Sequence, residues 1–251
     1  MSAQRVAVAG GTGVVGRHVV AGLRAAEYEP VVISRSNGVD LTSGLRLAEA
    51  ISGCTAVIDV SNVTTANRRV SVDFFSRVTE HLVAAATAAG VQHLIALSIV
   101  GIDDVDFAYY EGKRRQEEML LASGAPVTIQ RATQFHEFAG QMLARTRKGP
   151  LALVPKMLTQ PVAAAEVGEL LASLVAAQPS GRATDFGGPQ QHELPHLVTK
   201  LLTANGERVR VVPVRIPGAA GKAMATGALT TGAGARISTI TFDQWLATQA
   251  G

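Results

Sequence analysis

Short apolar runs alternate with longer segments of helical periodicity through the first two-thirds of the chain. The runs Val6-Ala7-Val8-Ala9, Ala56-Val57-Ile58-Asp59-Val60 and Leu94-Ile95-Ala96-Leu97 are continuous rather than alternating. That is the pattern of parallel strands buried on both faces. It predicts strands over residues 4–9, 30–34, 56–60, 93–98 and 127–131, and helices over 14–26, 45–51, 68–89 and 109–122. Gly90 and Ser123-Gly124 stand where two of these helices must end. Strands and helices alternating in this way build an α/β, doubly wound parallel sheet. Beyond residue 150 the pattern loosens. Helices are expected over 164–177, 194–204 and around 242–247, with a short strand over 208–212 and a Gly/Ala/Thr-rich loop or loosely packed helix over 217–235. Residues 1–150 thus form the main domain, and residues 151–251 a smaller lobe packed on it.

The first predicted strand runs straight into Gly10-Gly11-Thr12-Gly13-Val14-Val15-Gly16, and a helix follows. A strand, a glycine-rich turn and a helix N-terminus in that order make a cradle for pyrophosphate. The backbone can approach phosphate only where no Cβ intrudes, and the helix start offers free N–H groups. The spacing G-x-x-G-x-x-G differs from the commoner G-x-G-x-x-G. At the end of the second strand stands Ser34-Arg35-Ser36, with no acidic residue to take a ribose 2′-hydroxyl. An arginine flanked by hydroxyls suits a 2′-phosphate, which favours NADP(H) over NAD(H). Asp40-Leu41 follows and either lines the adenine or caps the next helix. Only Ser36-Asn37-Gly38-Val39 separates Arg35 from Asp40, so the third strand of a Rossmann-type sheet is expected to be vestigial.

Composition narrows the class. Of 251 residues, 47% are hydrophobic and 17% charged, which supplies a sizeable core and excludes a disordered chain. The net charge of +3 is mild, and the densest basic run, Lys113-Arg114-Arg115, is followed by Glu117-Glu118. A solvated helix face accounts for that run, and no nucleic-acid partner is expected. No apolar stretch reaches bilayer length and no signal peptide is visible, so a cytoplasmic protein without membrane association is expected. The single Cys54 excludes an internal disulfide, and no histidine spacing suits zinc, so no metal is expected; His136 and Glu137 alone are too few ligands.

Chemistry is expected at the carboxyl ends of the strands. Asp59-Val60-Ser61-Asn62 closes the third, with Val60, Ser61 and Asn62 beside the middle of the cofactor. Ser98, which closes the fourth, is expected to hydrogen-bond the reacting carbonyl oxygen together with Tyr109. Tyr109 and Lys113 are four apart at a helix start and share a face. A phenol beside an ammonium can give a proton to a carbonyl oxygen as hydride arrives, and Lys113 can also hold the nicotinamide ribose. Tyr110 and Arg114 have the same spacing, so geometry alone leaves the register open.

Together these residues resemble the short-chain dehydrogenase/reductase superfamily, in its atypical, NmrA-like branch of NAD(P)H-binding proteins. The resemblance spans nearly the whole chain. It rests on the glycine turn, Ser34-Arg35-Ser36, Tyr109-Tyr110-x-x-Lys113 and Arg131-Ala132-Thr133-Gln134-Phe135-His136-Glu137-Phe138. Gln160-Pro161-Val162, Gly187-Gly188-Pro189 and Thr241-Phe242-Asp243-Gln244-Trp245-Leu246 extend it. It implies that the glycines hold pyrophosphate and Arg35 the 2′-phosphate. Thr133, Gln134 and Phe135 would face nicotinamide and substrate, with His136 beside them. The eleven-residue interval from Ser98 to Tyr109 is slightly tight for the superfamily. The leading expectation is an NADPH-dependent reductase of a small apolar carbonyl, enone or quinone, monomeric or dimeric. The alternative is a catalytically silent NADP(H)-binding redox sensor.

Overall fold

The computed structural model describes residues 3–249. The chain forms two compact units, each assembled from separate stretches. The first comprises Met1–Ser98, Phe107–Arg131 and Val167–Ala183, and the second Ile99–Asp106, Ala132–Glu166 and Thr184–Gly251.

The first unit contains β1 (Arg5–Ala9), α1 (Gly16–Ala25), β2 (Glu29–Ile33), α2 (Leu47–Ile51), β3 (Cys54–Asp59), α3 (Arg68–Ala88), β4 (His93–Ile99), α4 (Ala108–Ala122) and β5 (Val127–Ala132). Its strands run in the order β5-β4-β3-β1-β2, and β1 pairs in parallel with both β2 and β3. Val6, Ala7, Val8 and Ala9 are wholly buried, as a continuous apolar run between two helical layers requires. β2 carries Pro30, which lacks an N–H and suits an edge strand. Beyond β2 the described chain makes a 3₁₀ turn, Arg35–Asn37, closed by Gly38 at φ +76°. An isolated antiparallel bridge, Asp40 to Leu45, follows. The third strand expected of this sheet is therefore reduced to a hairpin-like bridge.

The helices pack closely where side chains are small. A Cβ on Gly112 of α4 would overlap Ser71 Oγ of α3 and lie 2.7 Å from the Phe75 ring. The chain later returns as α6 (Ala164–Ser173), whose Gly168 would meet the backbone of His18 within 2.7 Å if it carried a Cβ. The helix expected over 164–177 ends at Ser173 and continues as one 3₁₀ turn, Leu174–Ala176.

The basic run on α4 departs from the solvated face expected of it. Arg114 and Arg115 pair with Glu111 and Glu118 near the surface, whereas Lys113 is buried. Lys113, Gln116, Glu117 and Leu120 recur at helical spacing, so α4 turns a polar stripe inward. Glu117 is buried and receives the Arg131 guanidinium in two hydrogen bonds of 2.8 and 2.7 Å. Arg182 joins it at 3.1 Å from β9 (Gly181–Arg182), which pairs with β5.

The second unit contains α5 (Phe138–Thr146), β6 (Arg147–Lys148), β7 (Leu151–Pro155), β8 (Leu158–Thr159), β10 (Phe186–Gly187), β11 (His192–Glu193), α7 (Leu194–Ala204), β12 (Arg210–Val214), α8 (Gly218–Ala225), β13 (Arg236–Ile237) and α9 (Phe242–Ala247). Phe186 of β10 pairs with Ala132, the last residue of β5, and β13 pairs with β10. β7 and β12 are parallel neighbours, and β6 turns back antiparallel along β7. The strand expected over 208–212 lies two residues later, and part of the Gly/Ala-rich segment forms α8.

The buried carboxylate of Glu117 pairs with the largely buried Arg131 and with the exposed Arg182. Glu117→Ala removes a buried carboxylate that takes two hydrogen bonds from the Arg131 guanidinium and is expected to cost about 3–5 kcal/mol of unfolding free energy. Urea denaturation measures this, and unchanged stability would show that the cluster holds nothing together.

Candidate active site

The glycine turn is built by backbone contact. Gly10 has φ +80°, and a Cβ there would lie 2.9 Å from the Ser61 backbone. A Cβ on Gly16 would overlap the Gly10 carbonyl oxygen, so α1 begins directly against the turn. Gly13 N–H donates to the Gly10 carbonyl at 2.9 Å. Thr12 and Gly13 are exposed, Val14 half-buried, and Val15 and Gly16 buried. No side chain caps α1. Arg17 N–H donates to the Gly13 carbonyl at 3.2 Å, and His18 and Val19 N–H to the Val15 carbonyl at 2.9 and 3.0 Å. What the helix start offers an anion is therefore chiefly its positive dipole end beside the exposed turn.

At the end of β2, Ser34 and Ser36 hydroxyls are 2.8 Å apart, and Asn37 donates to the Val32 carbonyl at 3.0 Å. The Arg35 side chain between them is exposed. Asp40 accepts from the Thr42 N–H and hydroxyl at 2.9 and 2.7 Å. These bonds hold its carboxyl below the usual carboxylate range. α2 starts only at Leu47, so Asp40 closes a turn rather than capping a helix. The Leu41 carbonyl is 2.9 Å from His81 Nδ1.

The carboxyl end of β3 holds the most constrained group of the first unit. Asp59 is buried; one oxygen accepts the Ser61 N–H at 2.9 Å and the other accepts Gln116 Nε2 at 2.8 Å. Burial raises its pKa, while Lys113 and the hydrogen bonds of Ser61 and Gln116 act against the rise. Lys113 Nζ donates to the Leu97 carbonyl at 2.8 Å and to Gln116 Oε1 at 2.9 Å, 4.6 Å from the Phe75 ring centre. Burial lowers its pKa to about 8, against the pull of Asp59 and Glu117. Tyr109, one turn earlier, is half-buried and donates its hydroxyl to Asn62 Oδ1 at 2.7 Å. Its ring meets Phe75 edge-on at 5.8 Å, and its carbonyl accepts from Ser71 Oγ at 2.9 Å. Desolvation pushes the neighbouring Tyr110 phenol well above its ordinary value. Glu117, expected on a solvated helix face, is buried, and Gln116, which no motif marked, is buried beside Lys113; their spacing from Leu120 is the sign that both face inward.

Ser61 and Ser98, at the carboxyl ends of β3 and β4, are buried, and the Oγ of each lacks a protein partner. Buried hydroxyls of this kind are normally satisfied. Together with the exposed glycine turn, these unpartnered hydroxyls are groups that a polar ligand such as a dinucleotide would satisfy. Val60 N–H is engaged by the Ala9 carbonyl at 2.9 Å, which leaves its half-buried side chain as the surface it offers.

Thr133, Gln134, Phe135 and His136 lie in the second unit. Thr133 Oγ1 donates to the Gln160 carbonyl, and Gln134 donates to the Leu229 carbonyl at 3.0 Å while accepting the Gln160 N–H at 3.1 Å. His136 is buried, its Nε2 3.1 Å from the Ile240 carbonyl and its ring beside Phe242 and Trp245. Burial lowers its pKa. Phe135 is half-buried and bridges to Val162. Three of these four side chains thus tie the unit together. Among the described residues no group of three or more His, Cys, Asp or Glu side chains converges as a metal site, and no helix is long and apolar enough to cross a membrane.

A family model described as NAD(P)H-binding matches residues 37–178. The chain belongs to that family, in keeping with the NmrA-like resemblance carried by its motifs. The match starts after the glycine turn and Arg35, so those motifs are a separate observation. A reductase of (4-alkanoyl-5-oxo-2,5-dihydrofuran-3-yl)methyl phosphate from Streptomyces griseus is 29% identical over 84% of this chain and 75% of its own length. The triphenylmethane reductase of Citrobacter sp., solved with NADP(H), has TM-score 0.72 at 17% identity over 98% of this chain and 99% of its own. An NADPH-dependent quinone oxidoreductase of Escherichia coli, solved with NADPH, has TM-score 0.72 at 17% identity over 98% of this chain and all of its own. At such identity the two structures establish the shared α/β fold.

A Cβ on Gly13 would press only on the Gly10 carbonyl, at 3.2 Å, with open space beyond. Gly13→Val is therefore expected to fold while filling the phosphate cradle, and to abolish NADPH binding in calorimetry. A folded variant that binds normally would remove the turn from the site.

Proposed function

We propose that the protein is an NADPH-dependent reductase of a small carbonyl, enone or quinone, with Tyr109 as proton donor. The observation that carries this reading is the arrangement at the strand ends of the first unit. There the Tyr109 hydroxyl and the Lys113 ammonium, one helical turn apart, meet the loop after β3 and the end of β4, in the unit that bears the glycine turn. The three reductases named above support the reaction class.

In this reading the turn from Gly10 to Gly16 takes the pyrophosphate, and Arg35 with Ser34 and Ser36 takes the 2′-phosphate. The exposure of the Arg35 guanidinium suits a charge that only the ligand neutralises. Ser61 and Ser98 offer their unpartnered hydroxyls to the nicotinamide half. Nicotinamide, when bound, supplies the hydride. To act, Tyr109 turns its single O–H from Asn62 Oδ1 to the substrate oxygen and gives up that proton as the carbonyl carbon accepts the hydride. Lys113 has three N–H groups, two of them taken by Leu97 and Gln116. The third is left for the ribose, and the ammonium favours the ionised phenol that remains after transfer. The second unit, with Phe135 half-exposed, is assigned the substrate.

The Tyr109–Asn62 bond also favours a second reading, a cofactor-binding sensor whose phenol is held in place without turning over. NADPH consumption measured against aldehydes, ketones, enones and quinones separates the two. With a carbonyl substrate, Tyr109→Phe is expected to keep NADPH affinity and to lower turnover about 10²–10⁴-fold. Wild-type turnover by that variant would overturn the proton-donor assignment, and tight NADPH binding with no consumption across the panel would favour the sensor.

A further inference from the structure

We propose that Gln116 is a positioning residue for Lys113: its side-chain amide, oriented by the buried carboxylate of Asp59, keeps the lysine ammonium charged and fixed at the carboxyl end of β4. The inference rests on the reading of Lys113 as part of the cofactor site.

An amide has a donor end and an acceptor end. Gln116 turns Nε2 to Asp59 Oδ2 at 2.8 Å and Oε1 to Lys113 Nζ at 2.9 Å. Turned the other way, it would set donor against donor at the lysine and acceptor against acceptor at the carboxylate. The other Asp59 oxygen accepts the Ser61 N–H, which fixes the carboxylate, and neither of its oxygens could donate to a reversed amide. Both bonds are strongest when Asp59 is ionised and Lys113 protonated. Gln116 thereby passes the charge of a carboxylate on β3 to an ammonium on α4.

The other groups facing Lys113 do not take over this task. The Leu97 carbonyl comes from β4 and the Phe75 ring from α3. Glu117, on the same helix, is engaged by Arg131 and Arg182. Desolvation works against the ammonium throughout, with Asp59 and Glu117 opposing it. Gln116 is itself buried, on a helix that could have placed leucine there as it does at Leu120. An inert filler of that space would need neither bond.

The test reads Lys113 directly, in protein without cofactor. The chain has only the lysines Lys113, Lys148, Lys156, Lys200 and Lys222, so lysine labelled at Cε gives a spectrum in which each can be assigned and titrated by NMR. Wild-type Lys113 is expected to lose its proton with a midpoint near 8, well below the other four. Gln116→Leu keeps much of the volume but removes the acceptor, and its Lys113 midpoint is expected to fall by about one pH unit or more. Gln116→Glu sets negative charge against the ammonium, and its midpoint is expected to rise. The rise in Gln116→Glu follows from the added charge and shows that position 116 reaches the ammonium. The acceptor-free variant decides, because removing a mere space filler would leave the Lys113 midpoint unchanged. An unchanged or higher midpoint in Gln116→Leu overturns the proposal. If Gln116→Leu does not fold, Gln116→Met, of similar length and without the amide, takes its place with the same two outcomes. NADPH affinity is then followed across the same pH range. Wild-type affinity is expected to weaken as Lys113 deprotonates, with the change displaced to lower pH in Gln116→Leu. Resonances that shift as stated while NADPH affinity ignores them uphold the role of Gln116 and overturn the cofactor role given to Lys113.

Discussion

A single buried carboxylate, Asp59, organises the chemistry-bearing end of the first unit. Removing it from water is costly unless both oxygens find donors. One oxygen takes the Ser61 N–H and so folds the loop that presents Asn62 to the Tyr109 hydroxyl. The other takes Gln116 and, through it, Lys113. The residues assigned to proton donation and to the ribose are therefore not independent. Moving Asp59 would shift the loop and the lysine together. The tight fit of Gly112 against Ser71 and Phe75 adds a mechanical side to the same constraint, because it keeps α4 close to α3 and the Tyr109 ring against Phe75.

The second constraint lies at the β2 edge of the sheet. Because β2 is followed by a short turn instead of another full strand, Arg35 projects from a 3₁₀ turn at the margin of the unit. A guanidinium placed there stays well solvated until a ligand charge reaches it, and costs the fold little. Charged recognition is thus kept at the exposed edge. The residues of α4 that must hold a fixed orientation are buried and cross-bonded instead.

Much of this was legible in the sequence. The strands of the first unit could be read because their apolar runs are continuous, and the vestigial third strand because too few residues separate Arg35 from Asp40. The second unit was harder. Strand pairs such as Phe186–Gly187 and Arg236–Ile237 are too short to show any period, and they form only because distant segments pair with them. β7 does alternate, with Ala152 and Val154 buried between exposed Leu151 and Leu153, but the run is brief and ends at Pro155. At the candidate site, the positions of Tyr109 and Lys113 on one helix face were legible, whereas the burial of Lys113 was not. A basic triplet reads as solvated unless the carboxylate that accommodates it is known, and Asp59 lies 57 residues away from Gln116 in the chain. The helical spacing of Lys113, Gln116, Glu117 and Leu120 was the available sign that a polar stripe turns inward.

The central claim is that the strand ends and glycine turn of the first unit hold NADPH, with Arg35 on the 2′-phosphate. Hydrogen–deuterium exchange of the wild-type protein, with and without saturating cofactor, tests it most directly. The account predicts that NADPH slows exchange at residues 10–17, 34–38 and 60–62, and that NADH protects the first and last of these segments but not 34–38. Tight NADPH binding that leaves the amides of the glycine turn unprotected would contradict it.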